Sequence, residues 1–171
     1  MYWIYIFYIK CIMEELEIYY NNKKLVNDEF LKPSETQIEP KIKYNFNSNN
    51  LYTLIMYDPD AVNGTRIHWL VTNIKNSIKN SKILLDYQGP APPAKTGKHR
   101  YIFELYEQSE MLNVEPLEER SISINLLRNK LNVSDYISKI KFISQNESGG
   151  KHKKTKRRRK YKKKTKRNKK Y

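Results

Sequence analysis

The chain has 171 residues, of which 39% are hydrophobic, enough for one domain with a single core and appendages. Its 33 Lys and Arg against 18 Asp and Glu give a formal charge of +15, but 15 of the basic residues fall between Lys151 and Tyr171 with no acid among them, so the remainder is formally neutral. Cys11 is the only cysteine, which excludes an intramolecular disulfide and a stapled scaffold and points to a reducing compartment.

Met1 to Ile12 is the one strongly apolar run, and Lys10 interrupts it. A membrane-spanning helix needs about 20 apolar residues, so this run does not span alone. It also lacks the basic start and small-residue cleavage site of a signal peptide. It reads as an extension upstream of a true start at Met13, an extra strand or a weak anchor. Leu16 to Tyr20 and Lys24 to Val26 are expected to form short strands around Asn21-Asn22, a hairpin turn signal. Pro33 and Pro40 bracket a polar loop. The run Leu51 to Tyr57 reads as a central strand buried on both faces, and Asp58-Pro59 ends it because proline cannot donate to a central ladder.

Ile67 to Ile74 is a second strand, with His68, Leu70 and Thr72 on one face by alternation and Trp69, Val71 and Asn73 on the other. Ile83 to Tyr87 and Arg100 to Glu107 are the next two, separated by a loop dense in proline and glycine. Glu118 to Lys130 has helical spacing at Ile122, Leu126 and Leu127 behind an acidic start, and Ile137 to Ser144 is a last strand. Many strands and one late helix predict a mainly β fold, an antiparallel β-sandwich with minor helical decoration. Gly149-Gly150 is a hinge into a tail too poor in apolar residues to offset its own ordering, and hence expected to be disordered. The expected units are 1–12, 13–147 and 148–171.

The residues with chemistry gather at strand ends. Asp58 caps one central strand, His68 opens the next, and His99 and Tyr101 share a face at the start of another. If these strands are neighbours, carboxylates, imidazoles and a phenol converge beside loop glycines. A carboxylate beside an imidazole favours imidazolium, which with Tyr OH and backbone N–H groups would hold an anionic oxygen, while the carboxylate would accept an ammonium. A phosphoethanolamine-like group would use both walls. Each residue alone has a plainer explanation, as turn chemistry, a core histidine or a surface basic pair.

Asp58-Pro59-Asp60-Ala61, the strand His68-Trp69-Leu70-Val71, and Tyr87 to Tyr101 ending in Leu105-Tyr106-Glu107-Gln108 together resemble the phosphatidylethanolamine-binding protein family, which includes Raf kinase inhibitor protein and the plant flowering regulators. The resemblance covers roughly residues 14 to 147. It implies a β-sandwich with a pocket for a small anion, a phosphate or a phospholipid headgroup, formed by Asp58, Asp60, His68, Gly89, Pro92, His99 and Tyr101. It also implies a monomeric binding and regulatory protein toward partners such as kinases, without a cofactor. The chain departs from the family pattern at Val62, where proline is usual, in the short loop Asn63 to Ile67, and in the stretch Leu131 to Gln145 with no family C-terminal helix after it.

Two other classes of function stay open. Asp and His could act on water as a weak hydrolase, but no tight metal-ligand spacing and no clear Ser or Cys nucleophile accompany them, so no catalytic or metal residue is expected. The basic tail could bind nucleic acid by counterion release, or an anionic membrane, or serve as a nuclear address. The expected location is cytoplasmic, or nuclear through the tail, and not secreted.

Overall fold

In the computed structural model, which describes residues 15–147, strands β1 (Glu17–Tyr20) and β2 (Lys23–Lys24) form the expected hairpin. Its turn residues Asn21 and Asn22 have φ of 49° and 65°, the left-handed region that two-residue hairpin turns demand and asparagine tolerates. Strand β3 (Glu29–Phe30) lies elsewhere, and β4 (Lys41–Lys43) pairs with the other edge of β1 to complete a three-stranded sheet, β2-β1-β4. Neither β3 nor β4 was expected, since two or three residues with a single apolar member carry no alternation to read.

The remaining strands are β5 (Leu51–Asp58), β6 (Arg66–Ile74), β7 (Lys82–Leu85), β8 (Lys98–Gln108) and β9 (Ser138–Gln145). They join β3 in a six-stranded sheet of order β3-β9-β8-β5-β6-β7, antiparallel except for β3 against β9. One face packs on the small sheet: Leu54, Met56, Trp69, Val71, Tyr101, Phe103 and Phe142 meet Leu16, Ile18 and Tyr20. The opposite face buries Ile55, Tyr57, Ile67, Leu70 and Tyr106 beneath Leu127, Leu131 and Val133. The two covered faces explain the nearly unbroken apolar run of β5, and the architecture is the mainly β sandwich with minor helix read from the sequence.

The helix is shorter than expected. It spans Ile124–Lys130 (α1), whereas residues 118–123 are non-helical and bridge to the start of β6 at Ser121. Arg120 accounts for the difference. Its carbonyl accepts from Ile67 N at 2.8 Å, Ser121 bridges to Arg66, and its guanidinium donates to the carbonyls of Ile67, His68 and Asp86. Backbone and side chain are thus committed to a strand edge, so the helix waits until Ser123. Arg120 also ends β7 early, because Asp86 O turns toward the guanidinium and Gln88 N donates to His68 O. The expected end segments 1–12 and 148–171 lie outside the described residues.

Candidate functional site

Antiparallel pairing brings the end of β5 and the starts of β6 and β8 to one end of the sheet: Asp58 pairs with Arg66, and Tyr57 with Ile102. A cavity of about 290 Å³ opens there, lined by Asp58, Arg66, His68, Gly89, Pro92, His99 and Tyr101 among others. Six of the seven sequence-derived site residues therefore share it. Asp60 does not line it.

The position of His68 depends on an irregularity that alternation could not reveal. Met56 pairs with Trp69 and Tyr57 with Ile67, so His68 is the extra residue of a β-bulge. Ile67 and Trp69, which strict alternation puts on one face, pack in opposite cores. His68 turns with Trp69 toward the side of Tyr101, whose ring it meets edge-on at 5.1 Å between centroids. The expected grouping of His68 with Leu70 and Thr72 is corrected by that one residue.

The two imidazoles differ in their commitments. His99 Nδ1 lies 2.7 Å from Asp58 Oδ2 in a buried pair, and its Nε2 lies 2.7 Å from the Thr96 hydroxyl, which also contacts Pro93 O. Both ring nitrogens of His99 are thus spent within the wall. His68 Nδ1 faces Gln88 O at 2.7 Å, and since a carbonyl only accepts, Nδ1 carries the proton. No hydrogen bond from a described residue reaches Nε2, which leaves it to the cavity. Burial pushes the His68 imidazole below its usual range, outweighing Gln88 O and the Asp58 charge. The expectation that a carboxylate would make this ring an imidazolium is therefore reversed for His68.

The carboxylates are also partnered. Asp58 Oδ1 accepts from Asp60 N at 2.8 Å, closing the turn after β5. Asp60 receives a two-pronged contact from Arg100 (2.9 and 2.7 Å) plus Arg100 N (2.9 Å), and the guanidinium holds its carboxyl below the usual range. Burial, reinforced by Asp58, pushes the Tyr101 phenol up, so it remains a neutral hydroxyl.

Gly89 serves close packing. A Cβ there would stand 2.8 Å from both Gln37 Cα and Thr36 O, so the 33–37 segment can lie directly on the cavity loop. Gln37 Nε2 then donates to Pro90 O and the Tyr87 hydroxyl to Thr36 O, which props that loop rigidly. Sequence reasoning missed Arg66, Gln88 and Ser121, which also line the cavity. Among the described residues the Arg66 guanidinium makes one side-chain hydrogen bond, Nη2 to Gln88 Oε1 at 2.8 Å, and no ion pair. Its place at the mouth of β6, two residues before His68, was the available signal.

A phosphatidylethanolamine-binding protein family model matches residues 20–139. The chain belongs to that family. A rice protein, the MOTHER of FT and TFL1 homolog 2, is 36% identical over 97 residues, 52% of this chain and 55% of its own length. The 26 kDa secreted antigen of Toxocara canis is 37% identical over 100 residues, 54% of this chain and 38% of its own length. The chain thus spans about half or less of these relatives. Among solved structures, the phosphatidylethanolamine-binding protein of Plasmodium vivax superposes with a TM-score of 0.62 at 20% identity, covering 77% of this chain and 84% of that one, a likeness of fold. Family membership supports a binding or regulatory role.

The Toxocara relative overturns one expectation, that the chain is cytoplasmic or nuclear and not secreted. That expectation rested on a lone cysteine and on the want of a recognisable leader. A lone cysteine excludes an intramolecular disulfide, and export does not require one.

Proposed function

We propose that this chain is a binding and regulatory protein whose cavity takes a small phosphate-like anion, either free phosphate or a phosphoethanolamine headgroup, and which acts on a protein partner such as a kinase. The observation that carries this is the balance of charge at the cavity. Both carboxylates are committed, Asp58 to His99 and Asp60 to Arg100, while the Arg66 guanidinium lines the wall with a neutral amide as its one hydrogen-bonded side chain among the described residues. An anion there meets a guanidinium, a neutral phenol and an imidazole nitrogen free to accept a phosphate proton. The ammonium end of phosphoethanolamine has less to gain, because the acid wall is already paired. The ligand-binding set is therefore Asp58, His68, Gly89, Pro92, His99 and Tyr101 with Arg66 added, and Asp60 acts by bracing the start of β8.

The test is a titration of the protein with inorganic phosphate, O-phosphoethanolamine and ethanolamine, following the imidazole resonances of His68 and His99. Phosphate and O-phosphoethanolamine are expected to shift His68 at millimolar concentration and ethanolamine to leave it unmoved. A response to ethanolamine alone, or to none of the three, would sink the proposal.

A further inference from the structure

We infer that a second cavity, between the β4 edge of the small sheet and the β6–β7 edge of the large one, is a binding site for an apolar carboxylate with an alkyl or aryl body. It shares no lining residue with the anion cavity and stands apart from the reading given there. The small sheet has three strands and the large one six, and β4 is the last strand of the smaller. A space of about 680 Å³ opens there, with Ile42, Tyr44 and Phe46 on the β4 side, Trp69 from β6, and Ile78 and Ile83 opposite. Aromatic packing holds the β4 side in place: Phe46 meets Tyr44 and Tyr52 edge-on, each with ring centroids 5.2 Å apart. This size and lining suit a small ligand with an apolar body.

The polar groups around this space call for an acceptor that is also an anion. Trp69 is 1% exposed, and its indole N–H is a buried donor with no hydrogen-bond partner among the described residues. An indole N–H only donates, so an unmet one in a residue lining a cavity asks for a ligand oxygen. Tyr87, whose ring stands edge-on to the indole at 5.6 Å, already spends its hydroxyl on Thr36 O. Charge then gives the sign. Lys41, Lys43 and Lys79 line the space and are exposed, against Glu39 as the one acid in its lining. None of the three lysines forms an ion pair among the described residues: Lys41 donates to Asn22 Oδ1 at 3.0 Å, and Lys43 Nζ lies over the Tyr19 ring. A carboxylate brings two acceptor oxygens and a negative charge, and its alkyl or aryl body fills the apolar remainder. An ammonium on the same body meets three like charges and leaves the indole unpaired.

The test is proton–nitrogen correlation NMR of the full chain, following the indole N–H resonance of Trp69, with Trp3→Phe removing the second indole signal. Decanoate, naphthoate and decyltrimethylammonium are titrated separately, below micelle formation. At least one of the carboxylates is expected to move the Trp69 resonance downfield with a dissociation constant below about 1 mM, the stronger response distinguishing an alkyl from an aryl ligand. The ammonium is expected to leave it unmoved, and saturating inorganic phosphate to leave the carboxylate curve unchanged. Lys43→Glu and Lys79→Glu together, both at exposed positions, are expected to weaken carboxylate binding at least roughly tenfold with the fold intact by circular dichroism. A Trp69 resonance unmoved by both carboxylates overturns the inference, as does an equal response to the ammonium or binding indifferent to the two lysine reversals. So does a carboxylate response at His68 without one at Trp69, which puts the ligand in the anion cavity instead. A carboxylate response at Trp69 without any phosphate response at His68 supports this site and removes only the anion reading of the other cavity.

Discussion

At His68 opposing influences act on one ring: burial disfavours the imidazolium, Gln88 O and the Asp58 charge favour it, and burial wins. The folded-state value thus lies below the ordinary histidine value of about 6.5, and between the two the unfolded chain binds more protons. Stability from this group is complete above the ordinary value and falls as pH drops through that window. Asp60 and Glu104, both held below the usual carboxyl range, act in a separate and more acidic window. The melting temperature is therefore expected to fall as pH drops below about 6.5, and His68→Asn to flatten that decline. Thermal unfolding of both proteins across that range checks it, and parallel curves would show that His68 does not carry the effect.

Among the elements, β8 joins the two faces of the sheet. His99, Tyr101, Phe103 and Leu105 face the cavity and the first core, as period-two alternation predicts. On its other face Glu104 is fully buried and accepts from Tyr57 (3.0 Å), Tyr106, Arg128 (2.7 Å) and Lys139 (2.9 Å). Burial alone would raise its carboxyl, and these donors outweigh that. Arg128 comes from α1 and Lys139 from β9, so this carboxylate pins the short helix and an outer strand to the sheet. Glu104→Ala is expected to cost about 2–3 kcal/mol, since it leaves two buried phenols without their acceptor and unpins two partly exposed cations. Urea unfolding measures it, and a loss below about 1 kcal/mol would mark the cluster as solvated.

What was legible in the chain at this scale follows from period. β5 announced itself by length, apolarity and Asp58-Pro59, and the first hairpin by Asn21-Asn22. The bulge at His68 left no trace, because inserting one residue into a strand buried on both faces changes its facing without changing its composition. Residues 118–123 kept a helical pattern through Ile122, which packs partly buried on the second core without being helical, whereas the contacts that decide the matter belong to Arg120 and to carbonyls some fifty residues earlier.

For the whole molecule, the six-stranded sheet is a rigid slab covered on both faces, and the cavity sits at the end where three of its strands begin or stop. Most of the cavity was readable because Asp58, His68, His99 and Tyr101 occupy strand ends that the run pattern locates. The missing member, Arg66, looked like an ordinary polar residue in a short loop, and only the pairing of Asp58 with Arg66 puts it in the wall. The charge balance of the site hangs on that residue. The direct measurement is phosphate affinity by calorimetry for the native chain and for Arg66→Gln, with circular dichroism to verify the fold. Loss of a charge-assisted contact predicts at least roughly tenfold weaker phosphate binding in Arg66→Gln with an unchanged fold. Equal affinity in the two proteins would contradict the account.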